Sequence, residues 1–376
     1  MLKIDRRRAC GALAGLATLR AARAADNDIV VGQIGPFTGI PVPDASQINE
    51  GVKGAFAQAN ARGGVGGRRV VFFELDDTYT GDGFVKAFAA AMKRKPVALL
   101  SPVGSVALKR MLDDKLLDSA DVIVINAVPG AEALRNPGHP KLFHIRAGDR
   151  QQIDKCVDHA RSLGVTSLGV LHQNIPIGTS GLAMAAEAAK RVGGIELKPF
   201  ESTLDIPSLA ATAARLVAVN PQAALVLGAP RFMADGVAEL RKAGLQQFIF
   251  ALSYVPAGLL AKVAGPGSRG VALAQTYPNP MGAALPLQRE FQAAMKASSP
   301  ATAAYTSFHL EGYVSARVFL EGARRAREIT PDGMARALRA MSDVDLGGFR
   351  IDFSKGNVGS RFVDIGVVNG DARLIY

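Results

Sequence analysis

The sequence predicts an α/β protein made of two similar lobes, each built around a mainly parallel sheet. One observation is that short apolar runs typical of strands alternate with amphipathic helical patterns along the chain, which is the mark of consecutive βαβ units. The other is an internal duplication, because three strand–helix steps recur in the same order, offset by roughly 125 to 140 residues, as in a repeated structural unit.

The first step of each copy is a strand, a loop, a helix, a double glycine and a second strand. In the first copy, IVVGQIGPFTG precedes a helix expected over 46–61 and the segment RGGVGGRRVVFFELDD. In the second copy, SLGVLHQNIPIGTSG precedes a helix expected over 181–192 and the segment GGIELKPFESTLD. The glycines of GPFTG lack the spacing of a dinucleotide fingerprint or a P-loop. We therefore interpret that loop as a tight turn where the backbone must approach another group closely.

The next two steps also match between the copies. FVKAFAAAMKRKPVALLSPVGS has its counterpart in LAATAARLVAVNPQAALVLGAPRF, and KRMLDDKLLDSADVIVINAVPGA in VAELRKAGLQQFIFALSYVPA. Ligands of open α/β sheets bind beyond the carboxyl ends of the strands. Six loops are therefore expected to line a cleft between the lobes: GPFTG, SPVGS and NAVPGA from the first, and NIPIGTSG, GAPRF and LSYVPA from the second.

The C-terminal part of the sequence indicates that both lobes are discontinuous. A long helical pattern over 305–327 is followed by Thr330-Pro331-Asp332, a helix start, and by short strands joined by Lys-Gly-Asn and Asn-Gly turns. Crossings between the lobes are expected near Ala147, Tyr277 and Gly347. The predicted division is a leader over 1–24, a first lobe over 25–147 plus 277–346, and a second lobe over 148–276 plus 347–376.

The first 24 residues have the pattern of an export signal cleaved after about Ala24. Lys3 and three consecutive arginines form a basic region, residues 9–19 are uncharged and mostly apolar, and Ala22-Arg23-Ala24 offers small residues to a signal peptidase. The sequence therefore predicts an exported protein. The arginine run leaves the general secretory and the twin-arginine routes open.

Composition and motif spacing argue against several functional classes. The chain has 376 residues, 48% of them apolar, and a net charge of +11. Without the six basic residues and one acidic residue of positions 1–24, 38 basic and 32 acidic residues leave a net charge of +6. These charges are spread along the chain, so nucleic-acid binding is not supported. No apolar run approaches the roughly 18 residues of a membrane-spanning helix. The five histidines have no metal-binding spacing, and GTSG is not a nucleophile elbow. Cys156, in a helical pattern, is most simply a buried apolar residue. We expect no enzyme activity, no cofactor and no metal.

The duplicated segments resemble the leucine/isoleucine/valine-binding family of periplasmic substrate-binding proteins of ABC transporters. The specific features are the G-P-x-T-G turn, a helix ending in N-A-x-G-G-V-x-G-R and a strand ending in Asp-Asp. The resemblance implies the type I periplasmic binding protein fold, two Rossmann-like lobes joined by a hinge. It further implies a periplasmic monomer that takes up a small-molecule ligand and serves the permease subunits of a transporter. A ligand-sensing module of a signalling system is the alternative.

The family's ligand contacts, carried over position by position, fall on the loops of the predicted cleft. The loop that holds a ligand carboxylate matches Gly104 and Ser105, and a second-lobe position that is usually aromatic matches Ile177. The loop that carries an acid for the ammonium of amino-acid ligands has Ser253 and Tyr254 instead. The complete set of candidate ligand contacts is Phe37, Gly104, Ser105, Val128, Pro129, Gly130, Ala131, Ile177, Ala229, Pro230, Arg231, Ser253, Tyr254 and Tyr277.

Several of these candidates have a simpler structural interpretation. Ser105 opens a helix, so it could cap that helix or present it to an anion. Arg231 could be a solvated first-turn residue, and Tyr254 and Tyr277 could be packed rings. Because the acid of the family is replaced, the sequence favours a small aromatic or branched carboxylic acid over a free α-amino acid as ligand.

Overall fold

The computed structural model describes residues 27–38 and 43–376, so the predicted export signal lies outside the described residues. The first part of the chain forms strands β1 (Ile29–Gly35), β2 (Val70–Asp76), β3 (Ala98–Leu100), β4 (Ile123–Ile125) and β5 (Leu142–Phe143). The helices among them are α1 (Pro43–Ala61), α2 (Gly81–Met92), α3 (Ser105–Asp113) and α4 (Leu116–Ser119).

The middle of the chain continues the alternation of helices and strands. It comprises α5 (Asp149–Ser162), β6 (Ser167–Gln173), α6 (Pro176–Val192), β7 (Glu196–Ser202), α7 (Ile206–Ala218), β8 (Ala223–Leu227), α8 (Pro230–Lys242), β9 (Phe248–Ala251), α9 (Ala257–Ala264) and β10 (Val271–Gln275). The last part comprises α10 (Pro286–Ser298), α11 (Ser307–Arg325), α12 (Pro331–Arg339), β11 (Val344–Asp345), β12 (Arg350–Ile351), β13 (Asp364–Val368) and β14 (Leu374–Ile375).

The strands form two large sheets and one small hairpin. The first sheet is parallel with the order β2-β1-β3-β4-β5, and the second has the order β14-β13-β10-β9-β8-β6-β7. In the second sheet β6 to β10 are parallel, and β13 and β14 extend it in antiparallel fashion. The orders β2-β1-β3-β4 and β7-β6-β8-β9 are equivalent, so the predicted α/β class with two lobes is confirmed.

Each sheet is covered by helices, and its apolar side chains form the core of a lobe. In the first lobe, α1 and α11 pack closely because glycines lie at their contact. Cβ atoms on Gly51 and Gly312 would strike the backbone of the facing helix, at His309 and Ile48. A Cβ on Gly54 would lie 3.1 Å from Ser298, at the end of α10. Cys156 is buried in the second core, and burial raises the pKa of its thiol to about 12, which agrees with a packing role.

The chain crosses between the lobes three times. The first crossing lies between Ile145, in the core of the first lobe, and Ile153, in the core of the second, and the second precedes Tyr277. The crossing expected near Gly347 is placed too early by the sequence. Phe349, Ile351 and Phe353 belong to the first core, Phe362 packs against it, and Val363 packs against the second core. The segment around β12 was assigned to the wrong lobe, because a short strand gives no signal in the sequence of the core on which it packs.

Two helix starts also differ from expectation. The first helix begins at Pro43 instead of residue 46, and the helix expected over 181–192 begins at Pro176. Proline is favoured in the first helical turn because its missing N–H would have no helical partner there. Six of the eight residues of the segment NIPIGTSG are therefore helical, and the loop before the helix is shorter than the sequence suggested. The long C-terminal helix ends at Arg325, close to the predicted residue 327.

Candidate functional site

Three helices begin directly after the carboxyl ends of central strands. Helix α3 follows β3 in the first lobe, and α6 and α8 follow β6 and β8 in the second. Their N-cap residues are Gly104, Ile175 and Ala229, and none of the three provides a side-chain cap. By contrast, α2 and α7, which follow the edge strands, are capped by Thr80 and Asp205. Uncapped N–H groups and the helix dipole favour a negative charge.

The first-lobe anchor predicted at Gly104 and Ser105 lies at the start of α3. Gly104 has φ 101°, a conformation suited to glycine, and a Cβ there would lie 3.2 Å from the ring of Tyr79. Ser105 is exposed and is the first residue of the helix, so it does not cap it. The simpler interpretation of Ser105 as an N-cap is therefore wrong. Tyr79, which was not among the candidates, covers Gly104 with its ring.

Phe37 lies at the end of β1 in a half-buried position. Its ring packs against the core of the first lobe, and its backbone N–H donates to the carboxylate of Asp76 over 2.9 Å. Asp76 also accepts hydrogen bonds from Thr38, and these bonds lower the pKa of its carboxyl group although burial opposes them. Asp76 thus holds the turn after β1 through these hydrogen bonds. The side chain of Phe37 remains partly accessible.

The loop from Val128 to Ala131 approaches the second lobe with its backbone. Val128, Pro129 and Gly130 are buried, and Ala131 is exposed. The carbonyl of Gly130 accepts a hydrogen bond from Asp149 N–H over 2.9 Å. A Cβ on Gly130 would collide with the hydroxyl of Tyr254 and with the Asp149 carboxylate. Glycine is therefore required at this contact between the lobes.

Arg146 occupies the first crossing and joins groups from both lobes. Its guanidinium is fully buried, pairs with Glu311 and donates to the hydroxyl of Ser253. It also lies 4.9 Å from the ring centroid of Tyr254 and 5.8 Å from that of Phe308, within the range of cation–π attraction. The predicted contacts Ser253 and Tyr254 thus pack around a buried cation that the sequence analysis did not identify.

Ser253 and Tyr254 are also bound to the start of α5. The amide and the hydroxyl of Ser253 donate to Gln152 Oε1 over 3.0 and 2.7 Å. The hydroxyl of Tyr254 donates to Asp149. Burial raises the pKa of Asp149, and the hydrogen bond from Tyr254 partly offsets this effect. The hydroxyl groups of Ser253 and Tyr254 and the amide of Ser253 thus already have hydrogen-bond partners. What remains for a ligand is the ring of Tyr254.

Tyr277 does not form a wall of the cleft. It is fully buried, stacks on Phe349 with ring centroids 5.5 Å apart, and donates its hydroxyl to Asn126 over 3.2 Å. Asn126 in turn donates to Glu311 over 3.0 Å and to Ser315 over 2.9 Å. The prediction that Tyr277 contacts the ligand is therefore wrong in this conformation. Tyr277 belongs to the buried polar network that holds Arg146.

Asp44 is a largely buried acidic residue that the sequence analysis did not identify. It lies in the first turn of α1, and burial raises the pKa of its carboxyl group to about 6, against the opposing charge of Arg146. Its charge also reaches Tyr79, whose pKa is raised by burial and by Asp44. A series of groups whose charges affect one another thus runs from Tyr79 through Asp44 and Arg146 to Tyr254.

The second-lobe candidates lie apart from this series. Ile177 is half-buried in the first turn of α6, and the amide of Ala229 donates to Gln173 over 2.9 Å, with Pro230 exposed beside it. Arg231 is bonded to Asp235 on its own helix over 2.7 Å and lines an outer groove with residues of α9. The structure therefore supports the solvated interpretation of Arg231 and corrects its assignment to the cleft.

No metal centre is suggested by the acidic and histidine side chains that the structure describes. Over residues 27–38 and 43–376, no group of three or more His, Cys, Asp or Glu side chains could hold a metal ion. Asp44 and Asp149 each lie near Arg146. What the arrangement offers is a set of helix N-termini without side-chain caps in both lobes, which favours a negative charge. Arg146, between the lobes, is already paired with Glu311.

Comparison with known proteins defines the class to which this fold and site belong. The family model described as periplasmic binding protein matches residues 28–371. The chain therefore belongs to the periplasmic binding protein family, in agreement with the resemblance to the leucine/isoleucine/valine-binding proteins. Proteins of this family bind ligands and are periplasmic.

Individual relatives agree with this assignment. The crystal structure of an extracellular ligand-binding receptor from Verminephrobacter eiseniae is 50% identical, with a TM-score of 0.88 over 93% of this chain and 100% of that one. A substrate-binding periplasmic protein from Ralstonia solanacearum is 28% identical, with a TM-score of 0.82 over 93% and 99%. A Leu/Ile/Val-binding protein homolog from Brucella melitensis biotype 1 is 27% identical over 199 residues, half of this chain and half of that protein's length.

Proposed function

We propose that this protein captures a small aromatic or branched carboxylate between its lobes and delivers it to the permease subunits of an ABC transporter. The observation that carries the proposal is the set of uncapped helix N-termini of α3, α6 and α8. Helix N-termini with open N–H groups bind carboxylates through charge-assisted hydrogen bonds. The names of the Ralstonia and Brucella relatives support a role in solute binding.

The proposed ligand is an organic acid ahead of a free α-amino acid. The ammonium group of an amino acid needs an ionised partner once it is desolvated. The loop with Ser253 and Tyr254 has no carboxylate, Asp149 is bonded to Tyr254, and burial disfavours the ionised form of Asp44. The cleft therefore favours the carboxylate of a ligand more strongly than a cationic group.

Ligand binding is proposed to close the lobes without chemical change of the ligand. The two lobes are connected by three crossings, and a ligand that contacts both would shift the population toward the closed form. The chain is proposed to act as a monomer in the periplasm after removal of residues 1–24, with no cofactor.

Isothermal titration calorimetry tests the proposed ligand class. We expect isocaproate or 3-phenylpropionate to bind more tightly than leucine or phenylalanine, their counterparts with an amino group. Submicromolar binding of an amino acid, with no binding of its deaminated counterpart, would overturn the proposed order.

A matched pair of serine variants tests the anchor itself. Ser105→Ala should weaken the bound acid by about 1–2 kcal/mol, or roughly 5- to 30-fold in Kd, the scale of a hydrogen bond to a charged group. Ser119→Ala changes an exposed serine at the end of α4 and should have no effect. An equal Kd for Ser105→Ala and the unmodified protein would show that the anchor lies elsewhere.

A further inference from the structure

Strand β2 forms one edge of the first sheet, at the opposite side of that sheet from β5, which leads into the first crossing. It is seven residues long, and Val71 on it is 38% exposed. The free backbone groups along an edge strand can pair with a strand of another chain. Proteins usually prevent such pairing with short edge strands or with proline and lysine on the edge.

The other edges among the described strands have this protection, and β2 does not. β5 and β14 are two residues long. In β7, the equivalent of β2 in the second lobe, the sequence contains Lys198 and Pro199. Glu196 donates its N–H to the carbonyl of Thr166 beside β6, so the odd-numbered residues of β7 face away from β6. Pro199 therefore removes a donor from the outer side of β7. β2 reads VVFFELD, with neither proline nor lysine.

Alternate residues of β2 direct their backbone groups away from β1. At one end of the strand, the carbonyl of Arg69 accepts a hydrogen bond from the amide of Ile29 over 2.7 Å. At the other end, Asp77 donates to the carbonyl of Gly35 over 3.1 Å. The odd-numbered residues therefore pair with β1 in the parallel ladder. The N–H and C=O groups of the even-numbered residues point to the outer side of the sheet.

The outward groups at the start of β2 have a partner, and those in its middle do not. Val70 donates its N–H to Asn60 Oδ1 and accepts from Asn60 Nδ2 at its carbonyl, over 2.9 Å in both cases. The side chain of Asn60 thus takes the place of a neighbouring strand at this residue. On the outer side, no described residue is hydrogen-bonded to the backbone of Phe72 or Glu74. These two residues can pair with a further strand.

The charges along this segment favour an antiparallel copy of the same strand as the partner. Arg68 and Arg69 precede β2, and Glu74 and Asp76 lie in its second half. Two copies related by a twofold axis pair the same strand in antiparallel fashion. This arrangement brings the arginines of one copy near the carboxylates of the other, whereas a parallel pair would place like charges side by side.

We propose that β2 pairs with β2 of a second copy of this chain, so that the two first-lobe sheets form one continuous sheet. The backbone groups of Phe72 and Glu74 supply the hydrogen bonds across the twofold axis, and the exposed Val71 becomes covered. The proposal does not depend on the transport function. The monomer proposed above is the form in dilute solution, and the dimer forms from it as the protein concentration rises.

Sedimentation equilibrium of the protein without residues 1–24 measures this association. We expect a reversible equilibrium between monomer and dimer, with a dissociation constant below about 1 mM. Sedimentation as a monomer at every concentration up to about 1 mM would overturn the proposal.

Hydrogen exchange locates the interface. A hydrogen-bonded amide exchanges only when its bond opens, so the outward amides of Phe72 and Glu74 should exchange about tenfold more slowly, or less, where the dimer predominates than in dilute solution. The outward amides of Leu197 and Glu201 on β7 are the control and should exchange equally at both concentrations. A dimer in which Phe72 and Glu74 gain no protection would place the interface elsewhere and disprove the pairing of β2.

A pair of variants at Glu74 tests the backbone hydrogen bonds. Glu74→Pro removes an outward N–H, and proline is tolerated on an edge strand where the N–H faces solvent. It should abolish the dimer. Glu74→Gln keeps the N–H and is the control for the lost ion pair with Lys53, so it should still dimerise. Equal dissociation constants for the two variants would contradict backbone pairing at this strand.

A change of charge at Arg69 tests the antiparallel orientation and also serves if Glu74→Pro fails to fold. Arg69 is exposed, and Arg69→Glu places a carboxylate near the acidic end of the partner strand. The dimer should weaken by about tenfold or more through repulsion of like charges. Lys190→Glu makes the same change of charge at an exposed position of α6 and should leave the dimer intact. Equal dissociation constants for these two variants would overturn the antiparallel arrangement.

Discussion

Arg146 and Glu311 form an ion pair that is removed from solvent at the first crossing between the lobes, with side chains 2% and 1% exposed. Glu311 comes from α11 of the first lobe, and Arg146 also reaches Ser253 of the second. Burial lowers the pKa of Arg146, and the charge of Glu311 raises it. Burial raises the pKa of Glu311, and the charge of Arg146 lowers it. Each buried charge is therefore stabilised by the other, and Arg146 links Glu311 of the first lobe to Ser253 of the second.

Removing one member of this pair should strongly destabilise the fold. Arg146→Met leaves Glu311 without its cation, and an uncompensated buried charge costs about 3–5 kcal/mol. Denaturant unfolding measures the loss. Lys53→Met, at an exposed pair with Glu74, is the control and should cost about 1 kcal/mol or less. Equal effects of the two variants would show that Arg146 is not desolvated.

His144 should make the protein sensitive to acid. Burial lowers the pKa of its side chain to about 3 in the folded state, against a usual 6.5. Between these values the unfolded chain binds a proton that the folded chain does not. The free energy of unfolding should therefore fall as the pH is lowered from 6.5, by up to about 1.4 kcal/mol per pH unit.

The variant His144→Gln removes this titration and keeps a side-chain N–H for the carbonyl of Leu134. Denaturant unfolding at several pH values below 6.5 compares the two proteins, so that the contributions of other groups cancel. The difference between them should grow in favour of the variant as the pH falls. Parallel pH profiles would contradict a neutral, buried His144.

Gly130→Ala should impair closure of the lobes. The added methyl group would collide with Tyr254 and Asp149, and overpacking of a tight contact costs about 1–3 kcal/mol. The ligand should bind about tenfold more weakly or worse in calorimetry. Gly370→Ala is the control, because a Cβ there meets no atom within 4 Å. An unchanged Kd for Gly130→Ala would mean that the lobes do not meet at this glycine when the ligand is bound.

The pH dependence of affinity should reveal which ligand group lies near Asp44. Burial raises the pKa of Asp44 to about 6. A ligand carboxylate nearby disfavours the ionised form of Asp44, so affinity should rise as the pH falls through 6. Asp44→Asn should flatten this dependence, and Asp332→Asn, at an exposed helix start, should not. Affinity that falls with the pH would instead indicate an ammonium group paired with ionised Asp44.

The fold could be predicted from the sequence because the same order of strands and helices occurs twice along the chain. The periodic strands and helices and the repeated double glycines determine the two equivalent strand orders. The position of the third crossing could not be predicted, since the short strand at Arg350 and Ile351 pairs with β11 and packs on the first core. Local patterns do not contain such distant contacts.

The positions of the loops that carry the candidate residues were also predictable, and the buried charged groups beside them were not. Gly104, Ser105 and Gly130 follow from loops at the carboxyl ends of strands, where glycine and helix starts are visible in the sequence. Arg146 and Asp44 were missed because a charged residue beside a loop usually faces solvent. Their burial depends on partners such as Glu311, which lies 165 residues from Arg146.

Small-angle scattering with and without a ligand validated by calorimetry tests most directly the claim that two lobes close on a solute. The account predicts a smaller radius of gyration at saturating ligand, with less compaction in Gly130→Ala at the same occupancy. An unchanged radius of gyration in the unmodified protein at saturating ligand would contradict it.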